Sequence, residues 1–122
     1  MYTVVVHSTF SSAHKLRGYH GDCEELHGHN WKVVVEVAGA SLDNLGMVMD
    51  FRVLKKRIHA VTQKLDHAYL NDIPPFDTLN PSSENISSYI FRELKKTIND
   101  DRIRLSKVTV WESDNAAAVY SE

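Results

Sequence analysis

A single cysteine, Cys23, leaves no partner for an internal disulfide, so the core must hold this fold and a reducing, cytoplasmic compartment is expected. No apolar run approaches the roughly 20 residues needed to cross a bilayer. The opening MYTVVVHSTF lacks a basic stretch followed by a long apolar segment, so neither a secretory leader nor a membrane anchor is expected. Basic excess is missing too: 14 Lys and Arg stand against 16 Asp and Glu, which disfavours non-specific nucleic-acid binding. No linker, internal repeat or low-complexity tract interrupts the 122 residues, and one domain over 1–122 is expected.

What the chain does have is valine alternation, two amphipathic stripes and seven histidines. Tyr2 to Thr9 alternates with a period of two and suits a half-buried strand. Trp31, Val33, Val35 and Val37 line one face of a second strand that Gly39 ends. Asp50 is placed to cap a helix whose stripe is Phe51, Leu54, Ile58, Val61 and Leu65, fraying near His67. The three prolines fall in the loop NDIPPFDTLNPSS. Ser82 or Ser83 can cap a second helix with Ile86, Ile90, Leu94 and Ile98 inward and Lys95 and Lys96 in its last turns. Lys107 to Trp111 and Ala116 to Tyr120 read as two final strands around the turn Ser113-Asp114-Asn115. The order ββααββ predicts an α+β layer, an antiparallel sheet with both helices on one face. A chain this short has nothing left for the other face, so another subunit is expected to cover it.

His27-Gly28-His29 lies where the second strand begins, and in extended chain residues i and i+2 point to one side. Both imidazoles can therefore meet one ion, and the long connection from Phe10 to Leu26 can fold His14 over them. Three neutral imidazoles with a fourth position open is the donor set of a catalytic Zn²⁺ site. The alternative is a set of polar histidines on a strand and a loop.

Cys23, four residues before His27, is either a thiol nucleophile or base near that ion, or a small buried hydrophobe. Asp66-His67 closes the first helix; the carboxylate can set the imidazole's tautomer, or the histidine simply complements the helix dipole. Glu112 ends an apolar strand, where its carboxylate can accept a parallel N–H pair from a heterocycle or stand free in solvent. Lys15 and Arg17 flank His14 and would suit a polyphosphate, or plain solvation.

Together these residues resemble the 6-pyruvoyltetrahydropterin and 6-carboxytetrahydropterin synthase family. Six segments carry the likeness in order: Phe-Ser-Ser-Ala-His14-Lys-Leu, Cys23-x-x-x-His27-Gly-His29, Gly46-Met-Val-Met-Asp50-Phe, Leu65-Asp66-His67-Ala-Tyr-Leu70-Asn71, Asn80-Pro-Ser-Ser-Glu84-Asn85 and Trp111-Glu112-Ser. The resemblance implies the tunnelling fold, a four-stranded antiparallel sheet with two helices on one face. Three chains would close a twelve-stranded barrel, and two trimers would stack, with active sites at subunit interfaces. His14, His27 and His29 would hold Zn²⁺. Cys23 would be the general base or acid, activated by Asp66 and His67 of a neighbouring subunit. Glu112 would anchor a pterin ring, helped by Ser82, Ser83 and Glu84.

The substrate implied is 7,8-dihydroneopterin triphosphate. The three-residue gap between Cys23 and His27 is that of the carboxy branch, which feeds queuosine synthesis and releases acetaldehyde and triphosphate. Glu24 makes the motif Cys-Glu-x-x-His-Gly-His, similar to members that also form 6-hydroxymethyl-7,8-dihydropterin for folate synthesis. A metal-bearing, pterin-binding oligomer without turnover is the non-enzymatic alternative. A thiol-redox protein is disfavoured because Cys23 has no resolving partner.

Overall fold

Alternating side chains build the sheet and decide which of its faces the helices cover. The computed structural model describes residues 1–18, 25–98 and 100–122. Strand β1 (Tyr2–His14) pairs antiparallel with β2 (His27–Gly39) along its whole length, from Tyr2 opposite Gly39 to His14 opposite His27. β1 thus runs past the expected stop at Thr9, and Phe10–His14 is strand rather than connection. Ser11, Ser12 and Ala13 lack the branched side chains that advertise a strand, but the pairing with β2 holds them extended.

Val6 and Phe10 of β1 and Trp31, Val33, Val35 and Val37 of β2 are buried in the core. A register shift between Glu36 and Val37 lets β4 (Ile103–Trp111) bury Leu105 and then Val108 and Val110. β5 (Ala117–Ser121) pairs antiparallel with β4.

Helix α1 (Phe51–Thr62) opens on Asp50, whose carboxylate accepts the Arg52 N–H at 2.8 Å. Leu54, Ile58 and Val61 face the core, while Phe51, assigned to the same stripe, is 53% exposed. Leu65 is fully buried although it lies beyond the helix end, carried inward by a turn. Helix α2 (Ser83–Lys95) is capped by Ser82, whose hydroxyl accepts the Asn85 N–H at 3.2 Å. Its inward residues Ile86, Ile90 and Leu94 are buried as their spacing requires, with Ile98 just past it.

One departure from the expected sheet bears on the site. Between the helices, β3 (Ala68–Tyr69) pairs in parallel with Ser12 and Ala13, giving the order β3-β1-β2-β4-β5. The sheet therefore has five strands and is mixed, its four long strands antiparallel. Two residues without alternation carry no strand signal; the segment is held because Ser11 bonds the chain just before it.

The face away from the helices bears Val5 and His7 of β1 and Val119 of β5, all exposed. No helix among the described residues is long and apolar enough to cross a membrane.

Core and cap should separate in denaturant. Leu54→Ala is expected to lower unfolding free energy by about 2–5 kcal/mol and Asp50→Ala by about 1 kcal/mol. Urea titrations with an unchanged m-value check this, and an equal loss in both would contradict the assignment of Leu54 to the core.

Candidate metal centre and active site

The last rung of the β1–β2 ladder sets His14 directly opposite His27. Alternation puts His29 on the same side, along with buried Trp31, so three imidazoles share the helix-covered face at one end of the sheet. Glu112 follows Trp111 at the end of β4 and turns to that side, its backbone N–H donated to Ala116 O.

Their polar atoms converge. The Nε2 atoms of His14 and His27 are 2.9 Å apart. Glu112 Oε1 stands 3.0 Å from His29 Nε2, 3.3 Å from His14 Nε2 and 3.9 Å from His27 Nε2. All four donor atoms lie within 4.8 Å of one another, against about 3.3 Å between ligands around a tetrahedral Zn²⁺.

The tautomers sharpen this. His14 Nδ1 donates to Pro81 O at 2.7 Å and His27 Nδ1 to Glu25 O at 2.8 Å. Carbonyls only accept, so each ring keeps its proton on Nδ1 and, when neutral, turns a bare Nε2 lone pair toward its neighbour. Two lone pairs at that distance repel unless a cation or proton stands between them. His29 Nε2 is buried and, close as Glu112 is, makes no hydrogen bond of acceptable geometry. Oriented outer bonds, bare inner nitrogens and an unpartnered buried ring nitrogen on His29 fit a divalent cation.

Burial, above all, keeps His14 below the ordinary imidazole value of 6.5, with repulsion from His27 and His29 adding to it against the pull of Pro81 O and Glu112. Burial likewise lowers His29, opposed by Glu112. Burial therefore favours the neutral, metal-binding form of both rings.

Asp66 and His67 do not close α1, which ends at Thr62. They sit in the turn before β3, where Asp66 Oδ1 accepts the Ser11 N–H at 2.8 Å and His67 N–H donates to Ser11 O at 2.6 Å. The Ser11 N–H bond is the main reason the Asp66 carboxyl lies below its ordinary value. Asp66 Oδ2 lies 3.0 Å from His67 Nδ1, a pairing that leaves Nε2 as the basic nitrogen. His67 holds a left-handed backbone at φ 53° with its side chain 83% exposed. A left-handed histidine costs about 1–2 kcal/mol, and such outliers gather at functional sites. Through His67 the dyad borders a cavity of about 490 Å³ that is lined also by Ser11, Gly28, His29, Asn30 and Tyr69. No hydrogen bond or ion pair among the described residues joins it to the Glu112 cluster.

The remaining expectations divide. Ser82 spends its hydroxyl on capping α2, with Ser83 half-buried and Glu84 exposed in the first turn beside it. Pro81, one residue earlier, holds the His14 ring, so this segment adjoins the cluster. Arg17 is no free cation for a phosphate: its guanidinium donates to Phe76 O at 2.8 Å and Asn71 O at 3.3 Å. Cys23 and Glu24 lie outside the described residues. Sequence reasoning missed the carbonyls of Pro81 and Glu25, since backbone acceptors leave no mark in residue type.

The model of the 6-pyruvoyl tetrahydropterin synthase family matches residues 3–122. The chain belongs to that family of pterin-processing enzymes and has its tunnelling fold. An Archaeoglobus fulgidus protein, provisionally named a 6-carboxy-5,6,7,8-tetrahydropterin synthase, is 43% identical over 103 residues, 84% of each chain. A dihydroneopterin monophosphate aldolase of Pyrococcus furiosus is 34% identical over 111 residues, 91% of this chain and 90% of the relative. The solved 6-pyruvoyl tetrahydropterin synthase of Caenorhabditis elegans superposes with a TM-score of 0.90 at 30% identity, covering 99% of this chain and 95% of that one.

Two measurements test this geometry. His67→Gly should be more stable than His67→Ala by about 1 kcal/mol in urea, because only glycine takes the left-handed backbone without penalty; the reverse order would remove the strain. Second, the unfolded chain protonates its histidines near 6.5, while folded His14 and His29 resist. Metal-free protein should thus lose stability as pH falls below 6.5, and hold that contribution above it. Urea midpoints from about pH 8 to about pH 5, compared with His29→Asn, would contradict this if stability rose on acidification.

Proposed function

We propose that the chain is a zinc-dependent 6-carboxy-5,6,7,8-tetrahydropterin synthase acting in the cytoplasm. It takes 7,8-dihydroneopterin triphosphate and water to 6-carboxytetrahydropterin, acetaldehyde and triphosphate. The observation that carries the reading is the convergence of His14, His27, His29 and Glu112 on one small volume at the sheet end. The spacing of Cys23 and His27 and the Archaeoglobus fulgidus relative favour the carboxy product.

His14, His27 and His29 would hold Zn²⁺. When bound, such an ion polarises substrate oxygens and makes adjacent C–H and O–H protons easier to remove. Glu112 grips the planar N–H pair of the pterin through two parallel hydrogen bonds, fixing which side-chain carbon lies over the histidines. The Ser82-Ser83-Glu84 turn closes the ring's other edge. Cys23 moves the proton, and His67, with its tautomer set by Asp66, exchanges protons with that thiol.

His67 and His29 line one cavity, together with Ser11, Gly28 and Asn30, and the family resemblance assigns Asp66 and His67 to the site of a neighbouring chain. Outside Ser12 and Ala13, where β3 pairs, β1 has an unpaired edge among the described residues, as does β5, and these edges supply the means. Pairing β1 of one copy with β5 of the next closes three chains into a twelve-stranded barrel, which two trimers can stack, and covers Val5 and Val119.

A second reading is formation of 6-hydroxymethyl-7,8-dihydropterin, with Glu24 as the base. Glu24 beside Cys23, and the aldolase name of the Pyrococcus furiosus relative, favour it.

Zinc-loaded protein incubated with 7,8-dihydroneopterin triphosphate, with products identified by mass, decides between them. The carboxy product is expected, abolished by Cys23→Ala with zinc retained. Hydroxymethylpterin alone, lost in Glu24→Gln, would establish the second reading. Glu112→Gln should keep zinc and raise KM; lost zinc would make Glu112 a ligand instead. Pterin retained with no product would leave only a binding protein.

A further inference from the structure

We infer that Asn71 and Asn80 are positioning residues of the metal centre, clamping the chain just after His14 so that its ring meets His27 and His29. This rests on reading the histidine trio as a metal site.

The clamp follows from backbone geometry. Past His14 the β1–β2 ladder stops, and the groups of Lys15 and Arg17 need other partners. In an extended chain the N–H and C=O of one residue point to the same edge, and those of the residue two further on point there too. Asn71 meets the first pair: Oδ1 accepts the Lys15 N–H at 3.0 Å and Nδ2 donates to Lys15 O at 2.9 Å. Asn80 meets the second, accepting the Arg17 N–H at 2.9 Å and donating to Arg17 O at 3.0 Å. A primary amide carries a donor and an acceptor in one plane, so each asparagine imitates a peptide unit of a missing strand.

The segment is anchored at its far end. Asn85 Nδ2 donates to Asn80 O at 2.8 Å, tying the clamp to the first turn of α2. The next carbonyl, Pro81 O, holds His14 Nδ1. One stretch, Asn80-Pro81, therefore fixes the imidazole and the backbone that follows it. Neither asparagine bonds to the four cluster residues among the described residues, so their part is to position.

The consequence is a change in metal affinity larger than any change in stability. If only a fraction of molecules holds His14 in place, the apparent affinity falls by that fraction. Losing a direct outer partner of a metal ligand weakens binding by about 10–100-fold, and groups that act one step further out reach the low end of that range.

The test uses Zn²⁺ itself, competed against a chromophoric chelator, on metal-free wild type, Asn71→Ala, Asn80→Ala and Asn71→Ser. Urea midpoints of the same proteins are measured alongside, with Leu54→Ala as a destabilised control. Both alanine variants are expected to bind zinc about 10-fold more weakly, still at one ion per chain at saturation. Asn71→Ser, whose hydroxyl can keep one bond, should lose less and serves where alanine does not fold. Leu54→Ala should keep wild-type affinity. Variants that bind zinc like wild type while losing stability would overturn the inference and leave the metal site standing. Wild type that takes up no zinc would bring down the metal reading itself.

Discussion

Everything at this site depends on lone pairs that face each other. Pro81 O and Glu25 O draw the protons of His14 and His27 to Nδ1, which leaves their Nε2 atoms bare and 2.9 Å apart. His29 and Glu112 add a third nitrogen and an anionic oxygen to the same volume. Four electron-rich atoms this close are unstable without positive charge, and among the described residues no Lys or Arg pairs with Glu112, Arg17 being spent on backbone carbonyls. A divalent cation resolves the conflict, and protons resolve it less well, because burial opposes charging His14 and His29.

The fold makes that concentration affordable. Full-length pairing of β1 with β2 brings His14 against His27 without any loop having to close over them. The valine-rich core then locks the ladder's register, since a one-residue slip would send Val33, Val35 and both ligands of β2 to the other face. Stability of the sheet and convergence of the ligands are one constraint seen at two ends of the same strands. The dyad belongs to a different part of the design. It is strained, exposed and held by Ser11 on a short parallel strand, as suits a group presented to another molecule.

Legibility in the sequence followed the strength of local signals. Asp50 and Ser82 are the caps their chemistry announces, and the stripe of α2 is buried at Ile86, Ile90 and Leu94. Leu65 is buried as its place in the stripe requires, though beyond the helix end, whereas Phe51 of the same stripe is exposed, because a stripe says nothing about where neighbours stop. The extension of β1 to His14 was hidden in Ser11-Ser12-Ala13, which pair with β2 despite weak propensity. The periodicity carries a helix on to Asp66-His67, and the turn that stands there instead is hidden because the left-handed backbone of a histidine has no residue signature.

The sequence alone determined that His27 and His29 share a face, since a two-residue period in a strand admits nothing else. It determined the two helices, the valine core and the likeness to a pterin-processing family through motifs in order. Tertiary structure decided the rest: that His14 stands opposite His27, that Glu112 turns into the same volume, and that Asp66 and His67 are held by Ser11 beside a cavity His29 also lines. The reason is physical. Alternation and capping act between residues a few positions apart, whereas the partners that orient this site are backbone carbonyls and amide groups up to 67 positions away, and only the folded chain brings them together.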